Sequence, residues 1–165
     1  MTEDIEVPGR LVCAAERLAA TRQGAWLVIN VLSPIDRFVM RRTKGRQGSR
    51  ARGNPKLLLH HVGAKTGQAR QTPLMCLSVD DYWLIVASKG GAPNHPAWYF
   101  NIKAHPAVTI DLNGQSIPVQ ARELEGAEYH AAWRLATSRF KGFYTYQARA
   151  GGRRIPLIRL DRSES

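Results

Sequence analysis

The spacing of hydrophobic and polar residues changes near Leu57. Between residues 10 and 35, apolar residues recur at intervals of three and four, which predicts a helix. From residue 57 onward, short apolar runs alternate with polar residues and are separated by Gly, Asn and Asp, a pattern typical of strands. We therefore predict an N-terminal helical segment with a basic loop (residues 1–56) and a β-rich part (residues 57–165), both within one structural domain.

Six strands are predicted in the second part, at residues 57–62, 71–79, 82–88, 107–112, 115–123 and 155–160. Asn113-Gly114 lies between the fourth and fifth and is a strong signal for a two-residue hairpin. Short connections between neighbouring strands favour antiparallel pairing. Pro156 places the last strand either at a sheet edge or at the start of a strand.

Two helices interrupt these strands. Pro96 is suited to begin a helix that continues to residue 104, with Asn94 as a candidate cap. A second helix is predicted over residues 126–140, where Tyr129, Trp133 and Ala136 share one stripe. The fold class is therefore mainly β with flanking helices (α+β), a small antiparallel β-barrel.

Charge adds a candidate binding property. The 165 residues include 24 Lys and Arg against 13 Asp and Glu, a net charge of +11. Eight of these cations, and no acid, lie between residues 37 and 56. Such a segment is either a solvated loop or a surface that attracts nucleic acid, anionic lipid or an acidic small molecule. Since no nucleic-acid-binding module is recognised, a nucleic-acid partner is disfavoured.

Location and redox state follow from other features. The N-terminus carries acids where a signal peptide needs cations, and no apolar run approaches the ~20 residues of a membrane span. Cys13 and Cys76 are too few for a disulfide framework, and Cys76 is predicted to be a buried thiol. We expect a cytoplasmic protein. Residues 25–32, beside the basic segment, also permit peripheral contact with the inner face of a membrane, although a helix packed on the barrel is favoured.

Several common chemistries are disfavoured. The sequence contains no GxGxxG fingerprint after a strand and no GxSxG elbow. His60 and His61 are adjacent on a predicted strand, so they point to opposite faces and do not readily bind one ion. The remaining histidines lack the spacing of a metal site, and no metal is predicted.

Two turns carry the features of an anion site. The first, between the first two strands, is built on Gly63 and Gly67 and carries Lys65 and Arg70. Backbone N–H groups of glycine-rich turns converge on anions, and cations add charge-assisted hydrogen bonds. The second, Ser88-Lys-Gly-Gly, follows a strand and leads toward the helix at residue 97.

Four segments carry a family resemblance: in order along the chain, they are Lys65-Thr-Gly with Arg70 and Pro73, Ala87-Ser-Lys-Gly-Gly, Pro96-Ala-Trp-Tyr-Phe-Asn and His105-Pro. Together they resemble the deazaflavin-dependent nitroreductase family, which includes quinone reductases. The resemblance covers residues 57–160. It implies the six- to seven-stranded split β-barrel of FMN-binding proteins and the cofactor coenzyme F-420, with FMN less favoured. The cofactor's phosphate and oligoglutamate tail would give the positive charge a role.

The resemblance also implies site residues. The cofactor-binding set is Lys65, Thr66, Gly67, Arg70, Thr72, Pro73, Ala87, Ser88, Lys89, Gly90, Gly91, Trp98, Tyr99 and Asn101. The catalytic candidates are Ser88 and Tyr146, which would supply a proton to the acceptor. The substrate-pocket candidates are Met75, Phe143, Tyr144 and Tyr146.

This sequence departs from the family pattern at a few positions. Ala64 stands where the family turn often has arginine, and Met75, Phe140 and Phe143 stand where tyrosines are expected. The expected function is hydride transfer from reduced F-420 to a quinone-like, nitroaromatic or other electron-poor acceptor. The alternative is a non-catalytic protein that binds or sequesters the deazaflavin. An oligomer is permitted, because related split barrels are often dimeric.

Overall fold

The computed structural model describes residues 55–163 and the helical, exposed Arg42. The chain divides into two units between residues 35 and 36, and all described residues belong to the second. The strands are β1 (Lys56–Val62), β2 (Ala69–Val79), β3 (Tyr82–Val86), β4 (Ala107–Leu112), β5 (Gln115–Glu123) and β6 (Leu157–Arg162). The helices are α1 (Ala97–Ala104), α2 (Gly126–Arg139) and α3 (Gly142–Arg149), and Lys89–Gly91 forms a 3₁₀ turn.

The six strands form a closed antiparallel barrel in the order β1-β2-β3-β6-β5-β4. The β4–β5 hairpin turns at Asn113 and Gly114, whose φ angles are 51° and 84°, as a turn with two left-handed residues requires. Closure leaves no strand edge unpaired within the barrel. The expected fold class, a split β-barrel with flanking helices, is confirmed.

Alternation along the strands produces the barrel interior. Leu57 and Leu59 of β1 belong to the same buried cluster as Ile110 of β4 and Leu160 of β6. Helix α1 contributes Trp98 to this cluster, together with Tyr99 and Ile102. The interior therefore holds α1 against the barrel, and this fixes the first residues of that helix relative to β1.

A second apolar cluster covers the outer face of the sheet. Leu77, Leu84 and Leu157 come from three neighbouring strands, and α2 and α3 cover them with side chains that include Ala136 and Phe143. Tyr129 of α2 donates a hydrogen bond to the Ile155 carbonyl at 3.1 Å. The predicted stripe on α2 therefore faces the barrel, with Tyr129 and Ala136 buried.

The structure differs from the sequence-based expectations in a few elements. Helix α3 was not predicted. Strand β3 ends at Val86 instead of residue 88, so Ser88 precedes the 3₁₀ turn and does not close a strand. Pro156 precedes β6, which pairs with both β3 and β5, so the strand-start alternative for this proline is correct.

Asn94, Cys76 and the N-terminal segment were also subjects of sequence-based predictions. Asn94 makes no cap for α1, since its Oδ1 accepts a hydrogen bond from Lys89 Nζ at 2.9 Å. Cys76 is a buried free thiol, as predicted, and burial raises its pKa to about 12. The predicted N-terminal helix and most of the basic loop lie outside the described residues. None of the helices within the described part of the chain combines the length and apolar character of a membrane span.

Candidate active site

The turn between β1 and β2 is shaped by hydrogen bonds that converge on Gly63. Its N–H donates to the Gln68 carbonyl at 2.9 Å, and its carbonyl accepts from the Gly67 N–H at 2.8 Å. A Cβ atom at Gly63 would lie 2.5 Å from Thr66 Oγ1, so the hydroxyl occupies the space that a side chain would need. Gly67 has a φ of 65°, which glycine adopts without steric cost. Glycine is therefore favoured at both 63 and 67.

This turn and α1 enclose a cleft of about 780 Å³. Its walls come from β1, the turn, β2 and the first residues of α1: His61, Gly63, Ala64, Lys65, Thr66, Ala69, Arg70, Gln71, Thr72, Ala97, Trp98, Phe100 and Asn101. Lys65 and Arg70 are exposed at the cleft. Trp98 is buried, whereas Phe100 is 52% exposed. The cleft thus combines two cations with aromatic surface.

A chain of hydrogen bonds joins the turn to the helix through buried side chains. Asn101 Oδ1 accepts a hydrogen bond from the Ala64 N–H at 2.9 Å. Asn101 Nδ2 lies 3.0 Å from His61 Nδ1, and His61 Nε2 lies 2.9 Å from Thr72 Oγ1. Because the amide donates to Nδ1, the proton of His61 is on Nε2, which donates to Thr72. The cleft walls are therefore held in one arrangement.

The same bonds define the protonation state of His61. Burial, followed by the charges of Arg70 and His60, lowers the pKa of His61 to about 4. A neutral imidazole is what the network requires, since Nδ1 acts as an acceptor. His60, on the opposite face of β1, donates to Asp111 Oδ2 at 2.8 Å instead. His61 is a site residue that sequence reasoning missed, because its partners lie 11 and 40 residues away.

The second predicted anion turn lies after β3 and before α1. Lys89, Gly90 and Gly91 all have positive φ, at 49°, 65° and 82°. The side chain of Arg153 reaches this turn from the far end of the sequence and donates to the carbonyls of Ala87, Ser88 and Ala92. No motif marked Arg153, so it too was missed.

The cofactor-binding set is only partly assembled at the cleft. Lys65, Thr66, Arg70, Thr72, Trp98 and Asn101 line it. Gly67 lies within the same turn, and Pro73 follows Thr72 on β2. Ala87, Ser88, Lys89, Gly90 and Gly91 form the turn after β3. Tyr99 faces elsewhere: its hydroxyl donates to Glu123 Oε2 at 2.8 Å, and its ring stacks on His95 with centroids 4.7 Å apart.

The substrate-pocket set divides into two places. Met75, Phe143 and Tyr146 belong to the outer apolar cluster, where the rings of Phe143 and Tyr146 have centroids 6.2 Å apart. Tyr144 is 58% exposed and meets the edge of Trp133. Of the catalytic candidates, Tyr146 lies on α3 and Ser88 directly precedes the 3₁₀ turn that ends at Gly91. The two elements are in close contact, because a Cβ atom on Gly91 would lie 2.8 Å from the Tyr146 carbonyl oxygen. The structure thus brings the backbone of α3 against the second turn.

Within residues 55–163, three or more His, Cys, Asp and Glu side chains nowhere come together as a metal ion requires. The chemistry available in the described cleft is therefore that of cations, amides and aromatic rings. Such a set suits an anionic ligand with a planar ring system.

Residues 35–161 match the sequence model of the F420H(2)-dependent quinone reductase family. An F420H(2)-dependent quinone reductase of Mycobacterium tuberculosis (strain H37Rv) is 41% identical over 128 residues, which cover 75% of this chain and 85% of that protein.

Two solved structures share the fold. One, described as an F420-H2 dependent reductase (FDR-A), has a TM-score of 0.59 and 40% identity, covering 65% of this chain and 94% of its own. The other, described as a domain-swapped dimer, has a TM-score of 0.62 and 35% identity, covering 79% and 96%. Each match spans almost the whole length of the solved chain.

Proposed function

Because this chain belongs to the F420H(2)-dependent quinone reductase family, we propose that the cleft between the β1–β2 turn and α1 receives the phosphate of coenzyme F-420. The protein is an F-420-dependent oxidoreductase. The observation that supports this location is the pairing of two exposed cations, Lys65 and Arg70, with the aromatic surface of Trp98 and Phe100 in one cleft.

The residues of the cleft fit the anionic part of the cofactor. Lys65 and Arg70 would pair with phosphate oxygens, and the guanidinium of Arg70 suits a bidentate contact. The Thr66 hydroxyl, on the same turn, would add a neutral hydrogen bond. Thr72 and Asn101 would act indirectly, because their polar atoms already bond His61 and Ala64. Binding therefore rests on the turn, and the network behind it keeps the turn in place.

The turn at residues 87–91 would hold the deazaflavin ring, and Lys89 would bind a further anionic group of the cofactor. Backbone at positive φ lets N–H groups approach a ligand closely, which is the advantage of glycine there. Reduced F-420, when bound, supplies a hydride from its C5 atom. The protein supplies position, charge and the exclusion of water.

Proton delivery is the remaining task of the protein. Reduction of a quinone leaves negative charge on an acceptor oxygen, and a nearby hydroxyl donor lowers the barrier. We assign this role to Ser88, beside the second turn, and to Tyr146 of α3, which packs against that turn. Met75 and Phe143, in the same apolar cluster as Tyr146, would contact the acceptor, with Tyr144 at its exposed margin.

Turnover distinguishes a reductase from a protein that only sequesters the cofactor. The test is stopped-flow oxidation of bound reduced F-420 by menadione in wild type, Ser88→Ala and Tyr146→Phe. We expect rapid oxidation by the wild type and a rate at least about tenfold lower in each variant, ~1.4 kcal/mol in barrier.

The matched control for those variants is Tyr82→Phe, at the opposite end of β3 from Ser88. It removes a tyrosine hydroxyl but is expected to keep the wild-type rate. A wild-type protein that binds the cofactor and oxidises it no faster than free solution would support sequestration. If Ser88→Ala and Tyr146→Phe both oxidise the cofactor at the wild-type rate, neither hydroxyl delivers the proton, and solvent water does.

Location, membrane contact and oligomeric state are further properties that we propose for this protein. We propose a cytoplasmic location for the reductase, which the small number of cysteines favours. Membrane contact through the N-terminal helix and the basic loop stays a prediction, since residues 25–54, Arg42 apart, lie outside the described part. One relative is described as a domain-swapped dimer, and a dimer of this chain is likewise a proposal, testable by light scattering.

A further inference from the structure

Arg153 makes an unusual number of hydrogen bonds for a partly exposed side chain. Its Nη2 donates to the carbonyls of Ser88 at 3.0 Å and Ala92 at 2.8 Å. Its Nη1 lies 3.3 Å from the Ala87 carbonyl oxygen and 3.2 Å from His95 Nδ1, and Nε lies 3.2 Å from the Ala92 carbonyl oxygen. One guanidinium thus gathers acceptors from both ends of the turn that precedes α1.

The turn needs such a partner because its own hydrogen bonds are few. Within the turn, the Gly91 N–H donates to the Ser88 carbonyl at 3.0 Å and the Ala92 N–H to the Lys89 carbonyl at 3.2 Å. The Ala87 N–H donates out of the turn, to the Pro156 carbonyl at 2.9 Å. Three successive residues, 89 to 91, have positive φ, which costs conformational energy at Lys89 in particular. A fixed fork of donors from outside offsets this cost.

Arg153 is itself held by α3. The Gln147 side chain donates to the Arg153 carbonyl at 2.7 Å and accepts from the Ile155 N–H at 3.0 Å. Gln147 directly follows Tyr146, the proposed proton donor, on the same helix. Arg153 therefore links the turn after β3 to the helix that carries Tyr146.

We propose that Arg153 is a positioning residue of the reductase site, whose guanidinium holds residues 87–92 in the conformation that the cofactor binds and in register with α3. This inference rests on the proposed location of the deazaflavin at that turn. Arg153 does not itself touch the cofactor in this scheme. Lysine would keep the charge but lacks the planar fork that reaches four separate acceptors.

The test begins with the cofactor-free protein. Amide exchange measured by NMR at Gly91 and Ala92 is compared in wild type, Arg153→Met, Arg153→Lys and the control Arg154→Met. Arg154 lies beside Arg153 in sequence, but its guanidinium stacks 3.9 Å from the Tyr129 ring centroid. We expect at least tenfold faster exchange in Arg153→Met, intermediate exchange in Arg153→Lys, and less than twofold change in Arg154→Met. Exchange in β4 and β5 should stay within twofold in all.

Titration with F-420 completes the test. We expect the dissociation constant to rise at least tenfold in Arg153→Met and to stay within twofold in Arg154→Met. Unchanged exchange at Gly91 and Ala92, unchanged affinity in Arg153→Met, or full restoration by lysine would each overturn the inference. A wild-type protein that fails to bind F-420 would instead overturn the proposed function. The two failures are therefore distinguishable.

Discussion

Asn101 of α1 accepts a hydrogen bond from the Ala64 N–H at 2.9 Å, across 37 residues of sequence. A side chain on a helix thereby satisfies a backbone donor in the turn that carries Lys65 and Arg70. The same amide donates to His61. Trp98 and Ile102 pack α1 into the barrel interior. The packing of the interior therefore also determines the position of the turn and the shape of the cleft.

Asn101→Ala should lower the free energy of unfolding by about 1–3 kcal/mol, since it leaves the Ala64 N–H and His61 Nδ1 without a partner. Asn101→Asp keeps the acceptor for Ala64 but places a carboxylate beside His61. We expect it to raise the pKa of His61 above its wild-type value of about 4. Urea denaturation measures the first effect and NMR titration of the imidazole the second. Equal stability of Asn101→Ala and wild type would show that the bond is dispensable.

The two glycines of the second turn provide a matched pair. At Gly90 a Cβ would meet nothing within 4 Å. Gly90→Ala should therefore lower the free energy of unfolding only by the strain of a left-handed backbone at alanine, about 1–2 kcal/mol. At Gly91 a Cβ would lie 2.8 Å and 2.9 Å from backbone atoms of Tyr146. Gly91→Ala should therefore cost at least about 1 kcal/mol more in urea denaturation, as overpacking does. If the two variants are equally stable, α3 does not press on the turn.

The pKa of His61 predicts a pH dependence of stability. Between pH 6.5 and about 4 the unfolded chain binds a proton at residue 61 that the folded protein does not. The free energy of unfolding should therefore fall as the pH drops through this range, by up to about 3 kcal/mol from this residue. In His61→Gln the decline should be shallower. Identical slopes in variant and wild type would assign the effect to other groups.

The sequence predicted the elements that depend on local patterns. Alternation located all six strands, and Asn113-Gly114 located the hairpin. Helix α1 was predicted from Pro96, which directly precedes the first residue of the helix. The family resemblance added the split barrel and the cofactor, which no single pattern provides.

What the sequence could not predict depends on contacts between distant residues. Helix α3 contains Gly142, Tyr144, Thr145 and Tyr146, which have low helix propensity, and the helix is stabilised by packing of Phe143 in the outer cluster. His61 looked like one of two adjacent strand histidines, and its role appears only with Asn101 in place. Arg153 was one cation among many until the fold brought it to residues 87–92.

Removal of the turn cations tests the phosphate site. Lys65→Ala, Arg70→Ala and Lys89→Ala should each weaken F-420 binding by about 1–3 kcal/mol, the range for hydrogen bonds to charged groups. Arg122→Ala is the control, because Arg122 pairs with Glu128 at 2.7 Å and lies outside the cleft lining. Fluorescence titration measures affinity, and thermal denaturation checks that each variant is folded. Normal binding by all three turn variants would place the anion site elsewhere.

A side-by-side fluorescence titration with F-420 and FMN tests whether the basic cleft selects a cofactor with a long acidic tail. We expect F-420 to bind much more tightly than FMN, because its additional negative charges pair with the excess of cations in this chain of net charge +11. Raising the salt concentration should weaken F-420 binding, since exposed ion pairs are screened. Equal affinity for the two cofactors, without salt dependence, would contradict the claim.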